Sequence, residues 1–148
     1  MVIEIATTSD IPELASLLAT LFNQEQEFTP NLEAHKRGLA RIIEAPNIGA
    51  VLVARLDERI VGMVNLLFTI STALGEQVAL LEDMVVLAHA RGDGIGTALI
   101  TAAISFAEEQ GYQRITLLTD NDNFAAQRFY ARQGFSISRM VPMRLSLE

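Results

Sequence analysis

Val78–Thr119, VALLEDMVVLAHARGDGIGTALITAAISFAEEQGYQRITLLT, is the stretch whose reading decides the fold. It opens on a nearly unbroken apolar run of strand length, Val78 to Leu87, and passes through Arg91-Gly92-Asp93-Gly94-Ile95-Gly96. Leu99, Ile100, Ala103, Ile104 and Phe106 then recur at helical spacing up to Gly111, and YQRITLLT reads as another strand. A strand, a helix and a strand in this order make a right-handed crossover between parallel neighbours. Adjacent Glu82 and Asp83 interrupt the first strand, and a buried strand rarely carries two carboxylates without a reason.

The flanking sequence extends this unit on both sides. VIEIA, Val2 to Ala6, alternates as a short strand. TTSDIPELASLLATLF follows as a helix with Ser9 or Asp10 as its cap and Pro12 in its first turn. After the link NQEQEFTP, the segment NLEAHKRGLARIIEAP predicts a second helix, with Asn31 as cap, a Leu32, Leu39, Ile42, Ile43 stripe and a stop at Pro46. GAVLVARLDERIVGMVNLLFTI gives two apolar runs joined by LDER, a β-hairpin. Towards the C-terminus, NDNFAAQRFYARQGF is a helix capped near Asp122 or Asn123 and closed by Gly134, and SISRMVPMRLSL alternates as a final strand or two. The prediction is one α+β layered α/β domain over residues 1–148: a mixed, mostly antiparallel twisted sheet with a central parallel β-α-β crossover.

Composition narrows the function. Half of the 148 residues are hydrophobic and a fifth are charged, which suits one domain with a real core and one active site. The chain has no cysteine, so disulfides, thiolate metal sites and cysteine nucleophiles are excluded, in keeping with a reducing cytoplasm. No apolar run approaches the roughly 20 residues of a membrane span, and the N-terminus lacks a signal-type pattern, so a soluble, cytoplasmic protein with no membrane partner is expected. The formal charge is -7, with Lys36 the only lysine against ten arginines; this speaks against nucleic acid and is compatible with a cationic small molecule. His35 and His89 are isolated, so no metal site is expected, and Met63, Met84, Met140 and Met143 read as core filler or cleft wall. Glu25, Glu27 and Glu33, near Phe22 and Phe28, are either a selector of cations or a solvated helix face.

A phosphate group is held where backbone N–H groups converge, and a helix start supplies N–H groups without internal partners plus about half a positive charge. Glycines let that backbone come close. The loop Arg91–Gly96 stands between a strand and a helix, the context such a site needs; an ordinary tight turn is the competing reading. A P-loop would need Gly-Lys followed by Ser or Thr, and the dinucleotide fingerprint would need a third glycine where Leu99 stands.

Arg91-x-x-Gly94-x-Gly96 resembles the (Gln/Arg)-x-x-Gly-x-(Gly/Ala) signature of the GNAT N-acetyltransferase superfamily, and EDMVV precedes it in the position of that family's fourth strand. NFAAQRFYARQGF is similar to the family's Asn-x-x-Ala-x-x-Phe-Tyr-x-x-x-Gly-Phe segment, and the element order from Val2 to Leu147 matches the family's whole domain. The resemblance implies acetyl-coenzyme A as donor. Its pyrophosphate would lie on Arg91, Gly92, Asp93, Gly94, Ile95, Gly96 and Thr97, and its pantetheine along the strand edge Met84, Val85 and Val86, with Asn123 and Ala126 as further contacts. The spacing toward HKRGLARIIEAPNIG and IVGMV is also similar to small-amine acetylators such as the aminoalkylphosphonate enzymes.

Acetyl transfer to an amine needs a neutral nucleophile, a polarised carbonyl and a proton for the departing thiolate. An alkylamine with a pKa of about 10.4 is neutral in about one molecule in 2,500 at pH 7, so a base must supply on the order of 4.6 kcal/mol. Glu82 or Asp83 could do this, directly or through water, with Glu82 favoured. Because successive strand residues face opposite ways, at most one of the two points into a cleft unless a bulge intervenes. The resemblance implies the Val86 N–H as the polarising donor and Tyr130 as the general acid; helical spacing independently puts Asn123, Gln127 and Tyr130 on one face. The expected activity is transfer to a primary amine of a small molecule, before a protein N-terminus or lysine, by direct attack in a ternary complex. The alternative is a non-catalytic acyl-coenzyme A sensor. The final MVPMRLSL strand offers a place for two copies to pair as a homodimer.

Overall fold

The computed structural model describes residues 1–24 and 30–148. Met1–Leu118 forms one unit and Thr119–Glu148 a second. The first contains β1 (Val2–Ile5), α1 (Ile11–Gln24), α2 (Leu32–Ile43), β2 (Gly49–Leu56), β3 (Arg59–Ser71), β4 (Glu76–Val86), α3 (Ile95–Glu109) and β5 (Ile115–Leu117); the second contains α4 (Phe124–Arg132).

Local chemistry sets most of these boundaries. Asn31 caps α2 as its sequence predicts, its Oδ1 accepting from Ala34 N at 3.1 Å. α1 is entered through a short 3-10 turn, Thr8–Asp10, whose Asp10 carboxylate reaches back to accept from Thr7 N at 2.9 Å and also accepts from Arg55 at 2.6 Å. Burial would raise the Asp10 pKa, but the bonds from Arg55 and Thr7 outweigh it and hold the carboxyl below its usual range. The LDER hairpin turns on Asp57 and Glu58, both left-handed at φ 51° and 67°, a geometry that favours Asn-Gly or Asp-Gly. Glu58→Gly should therefore stabilise the fold by about 0.5–1 kcal/mol and raise Tm by about 2–4 °C. A lower Tm in that variant would mean that the Glu58 side chain makes a contact outweighing its strain.

The strand order is β1-β2-β3-β4-β5, antiparallel as far as β4 and parallel between β4 and β5. β2 and β3 are buried almost continuously because helices cover both faces of the sheet. On one face Val51, Val53, Met63 and Val85 pack with Leu14 and Leu18 of α1 and Leu39 of α2. On the other lies α3, with Leu99 and Ile100 fully buried. The approach there is close: a methyl group on Gly62 would stand 2.9 Å from Leu99 Cδ1.

One sequence expectation fails. Residues 136–148 form no strand, although SISRMVPMRLSL alternates. A strand is completed by a partner ladder, and here Pro142 offers no N–H while Ile137, Met140, Val141 and Met143 are all strongly exposed, so no buried face fixes a register.

Candidate functional site

β4 is paired with β3 from Glu76 to Val86, save at Glu82, but with β5 only at Ala79, Leu80 and Leu81. From Glu82 onward its second edge is uncovered by β5. Leu87 N donates to Val61 O at 2.8 Å. Amide direction alternates along a strand, so the N–H groups of Val86 and Met84 turn away from β3, toward that uncovered edge. They are two donors on one line, the pattern an extended ligand can pair with as an added strand.

The glycine loop begins where this edge ends. A 3-10 turn, Ala88–Ala90, leads from the strand into Arg91, whose Nε donates to Val86 O at 3.1 Å and ties the loop to the strand end. Gly92 and Gly94 take φ values of +89° and +79°, and Gly94 is the N-cap of α3. No side chain caps this helix and its first turn holds no acidic residue. The N–H groups of Ile95, Gly96 and Thr97 thus start the helix without intrahelical acceptors. A Cβ on Gly92 or Gly94 would meet nothing within 4 Å, so backbone conformation requires glycine at both, and the space beside them is open. Ile95 is buried and fixes the helix start in the core. Outward donors, positive dipole and open space together fit a phosphate group.

The carboxylate pair is arranged by a bulge. Asn65 pairs with Asp83 and Leu66 with Leu81, so Glu82 is an extra residue in β4. Asp83 shares the face of its partner Asn65, while Glu82, one step beyond Leu81, is on the side opposite Leu81. Both carboxylates therefore belong to the sheet face that Met63 and Val85 share with α1 and α2. This is the exception that the alternation argument allowed for. Glu82 is exposed and Asp83 half-buried. Burial pushes the Asp83 carboxyl up to about 6, the Asn65 hydrogen bond opposes this, and the Glu82 charge adds to it.

In the second unit, Asn123 is the N-cap of α4, its Oδ1 accepting from Ala126 N at 3.1 Å. Gln127 Nε2 donates to the carbonyls of Asp120 and Asn121, tying the preceding loop to the helix. The Tyr130 ring is held edge-on by Phe129 and Phe135, with centroids at 5.1 and 5.7 Å.

Residues 13–135 match the family described as Acetyltransferase (GNAT) family. The chain belongs to this family. This GNAT chain is 31% identical over 133 residues to the uncharacterized N-acetyltransferase YhfO of Bacillus subtilis strain 168, covering 88% of the chain and 86% of the relative. It is 29% identical over 133 residues to the aminoalkylphosphonate N-acetyltransferase of Salmonella typhimurium strain LT2, covering 90% and 83%. The crystal structure of a possible acetyltransferase from Clostridium difficile 630 shares the fold at a TM-score of 0.89 and 13% identity, over 99% of this chain and 97% of that one. The protein is an acetyl-transferring enzyme of the GNAT family.

Within this GNAT fold the loop residues Arg91 to Thr97 and the edge residues Met84 to Val86 are contiguous, as their order in the chain requires. Asn65, which the sequence reading passes over, is the site's additional polar residue; its signal is a lone carboxamide in the apolar run IVGMVNLLFTI. Of the other residues singled out, Glu33 pairs with Lys36 at 3.6 Å on the surface of α2, while Glu25, Glu27 and Phe28 lie outside the described residues. His35 Nε2 accepts from Asn31 N at 3.0 Å, and burial lowers its pKa, which keeps it neutral. A cavity of about 150 Å³ lined by Ile5, Ile42, Ile43, Val51 and Phe106 is apolar and sits by Gly49, which pairs with Leu67. Val86 pairs with Gly62, five residues from Leu67 along β3, so the cavity is apart from the loop.

Proposed function

We propose that this enzyme moves an acetyl group from acetyl-coenzyme A to the primary amine of a small molecule, by direct attack in a ternary complex. The observation that carries the reading is the continuity of the uncovered β4 edge with the uncapped start of α3. An extended thiol arm pairs with the edge donors at Met84 and Val86, with Val85 between them. The pyrophosphate meets the loop from Arg91 through Gly92, Asp93 and Gly94 to the N–H groups of Ile95, Gly96 and Thr97. The donor supplies an activated thioester. The Val86 N–H stabilises the carbonyl oxygen as it gains charge. One of the paired carboxylates, Glu82 or Asp83, takes a proton from the acceptor ammonium. By the family resemblance Tyr130 protonates the leaving sulfur, and Asn123 and Ala126 add contacts to the donor.

A small cationic acceptor is supported by the net charge of -7 and by two carboxylates on one sheet face. The name of the Salmonella relative, an aminoalkylphosphonate N-acetyltransferase, supports the amine of a small molecule as acceptor. Among the described residues no helix is long and apolar enough to cross a membrane, and we place the enzyme in the cytoplasm, with no metal, membrane or nucleic-acid partner. The exposed apolar stretch from Ile137 to Leu147 is the surface through which two copies would pair.

Thermal unfolding tests the donor. Acetyl-coenzyme A at a hundred times its Kd should stabilise the protein by about 2.7 kcal/mol. A clear rise in Tm with acetyl-coenzyme A and coenzyme A is expected. No shift with either up to millimolar concentration would contradict the reading.

A further inference from the structure

β3 carries one carboxamide inside an apolar run, and nearly everything about it is directed at one residue. Asn65 is 3% exposed. Its Oδ1 accepts from Asp83 N at 2.7 Å, and its Nδ2 donates to Asp83 Oδ2 at 3.0 Å. The first bond has a structural reason. The extra residue Glu82 breaks the regular ladder at this point, and the amide of Asp83 is met by a side chain instead of a carbonyl. The second bond is not needed for that: capping an N–H takes only the acceptor end of an amide. What the second bond does is fix one oxygen of the Asp83 carboxylate and so orient the other. No buried side-chain oxygen among the described residues lacks a partner. Oδ1 of Asp83, which makes no hydrogen bond there, is therefore open to solvent.

Resting on the transfer reading above, we infer that Asn65 is a positioning residue that presents Asp83 Oδ1 to the acceptor ammonium, and that Asp83 is the group that takes its proton. In this step an N–H bond of the ammonium breaks and the proton moves to Asp83 Oδ1. The freed lone pair forms the C–N bond to the acetyl carbon, and the C–S electron pair leaves with the sulfur. A second N–H proton, lost after the C–N bond forms, offsets the one taken up by the sulfur, and the Asp83 proton passes to water. Exposed Glu82, on the same face, adds negative charge that attracts the cation.

Among the described residues, few other groups bear on Asp83. The carboxylate of α1, Glu13, is occupied in accepting from Ile60 N at 2.9 Å. β5 over Ile115–Leu117 has no titratable residue. The carboxylates of α3, Glu108 and Glu109, are in its last turn, and that helix covers the opposite face. Glu82 is the charge that acts on Asp83 among the described residues.

The test is the pH profile of kcat/KM for acetyl transfer, read beside an NMR titration of the Asp83 carboxyl carbon that needs no turnover. Activity should fall as pH drops through about 6 in the wild type, because protonated Asp83 cannot accept a proton. Asp83→Asn should lower kcat/KM by about 100-fold or more and remove this acid limb, whereas Glu82→Gln should keep it. The sharpest variant is Asn65→Asp, nearly identical in shape. It keeps an oxygen for the Asp83 N–H but replaces the donor with an acceptor, so the limb and the NMR titration should both move to higher pH. A melting curve confirms that each variant is folded; if Asn65→Asp is not, the wild-type titration and the Asp83 and Glu82 variants decide. Asp83→Asn at wild-type activity, an Asp83 carboxyl titrating at its ordinary value, or a limb that disappears with Glu82→Gln would each overturn the assignment. Absence of turnover in the wild type would instead bring down the transfer reading and this step with it.

Discussion

Tyr130→Phe is expected to lower kcat by about 100-fold or more with little change in the KM for acetyl-coenzyme A, because general acid catalysis is worth about 10²–10⁴-fold and acts on the leaving group rather than on binding. A tyrosine hydroxyl with a pKa of about 10 can protonate a thiolate whose thiol has a pKa near 8.5 only if it is well placed. Its ring is placed by edge-on packing against Phe129 and Phe135. Phenylalanine keeps that packing and removes the hydroxyl, and a melting curve of the variant checks that it is folded. Lost activity with an unchanged Tm assigns the acid role. Full activity in the variant would reduce Tyr130 to an aromatic packing residue.

Gly94→Val should act on the donor instead. A valine at φ +79° is strained by at least about 1–2 kcal/mol, and the loop is expected to relieve the strain by turning its N–H groups. Losing two charge-assisted hydrogen bonds, each worth about 1.5–3 kcal/mol, should raise the KM for acetyl-coenzyme A by about 100-fold or more. Gly94→Asn separates conformation from space, since asparagine tolerates this region of φ but fills the open volume beside the loop. A mild Asn variant beside a damaged Val variant would mean that φ alone requires glycine. Equal damage in both would mean that a ligand occupies the open space. Wild-type KM in both variants would rule out the loop as the phosphate site.

The crossover from β4 through α3 to β5 was legible in the sequence because strand period, glycine loop and helix period follow one another within one segment. So was the α2 cap at Asn31, which is a contact over three residues. The features that escaped are non-local. The bulge at Glu82 comes from how β3 and β4 pair across 18 residues, and no property of EDMVV alone announces it. The partnership of Asn65 with Asp83 depends on the same register. The missing C-terminal strand fails for the converse reason: alternation over Ser136 to Leu147 is local, but a ladder requires a partner. The left-handed turn at Asp57 and Glu58 is hidden because neither residue type demands that conformation.

The most direct measurement is release of coenzyme A thiol from acetyl-coenzyme A, followed with a thiol reagent, across polyamines, aminoalkyl acids, aminoalkylphosphonates, amino sugars and peptides. A chain without cysteine contributes no background. The predicted result is release that saturates in both acetyl-coenzyme A and one class of small amine, with the N-acetylated amine recovered in equal amount. Coenzyme A binding with no amine raising release above spontaneous hydrolysis would contradict it.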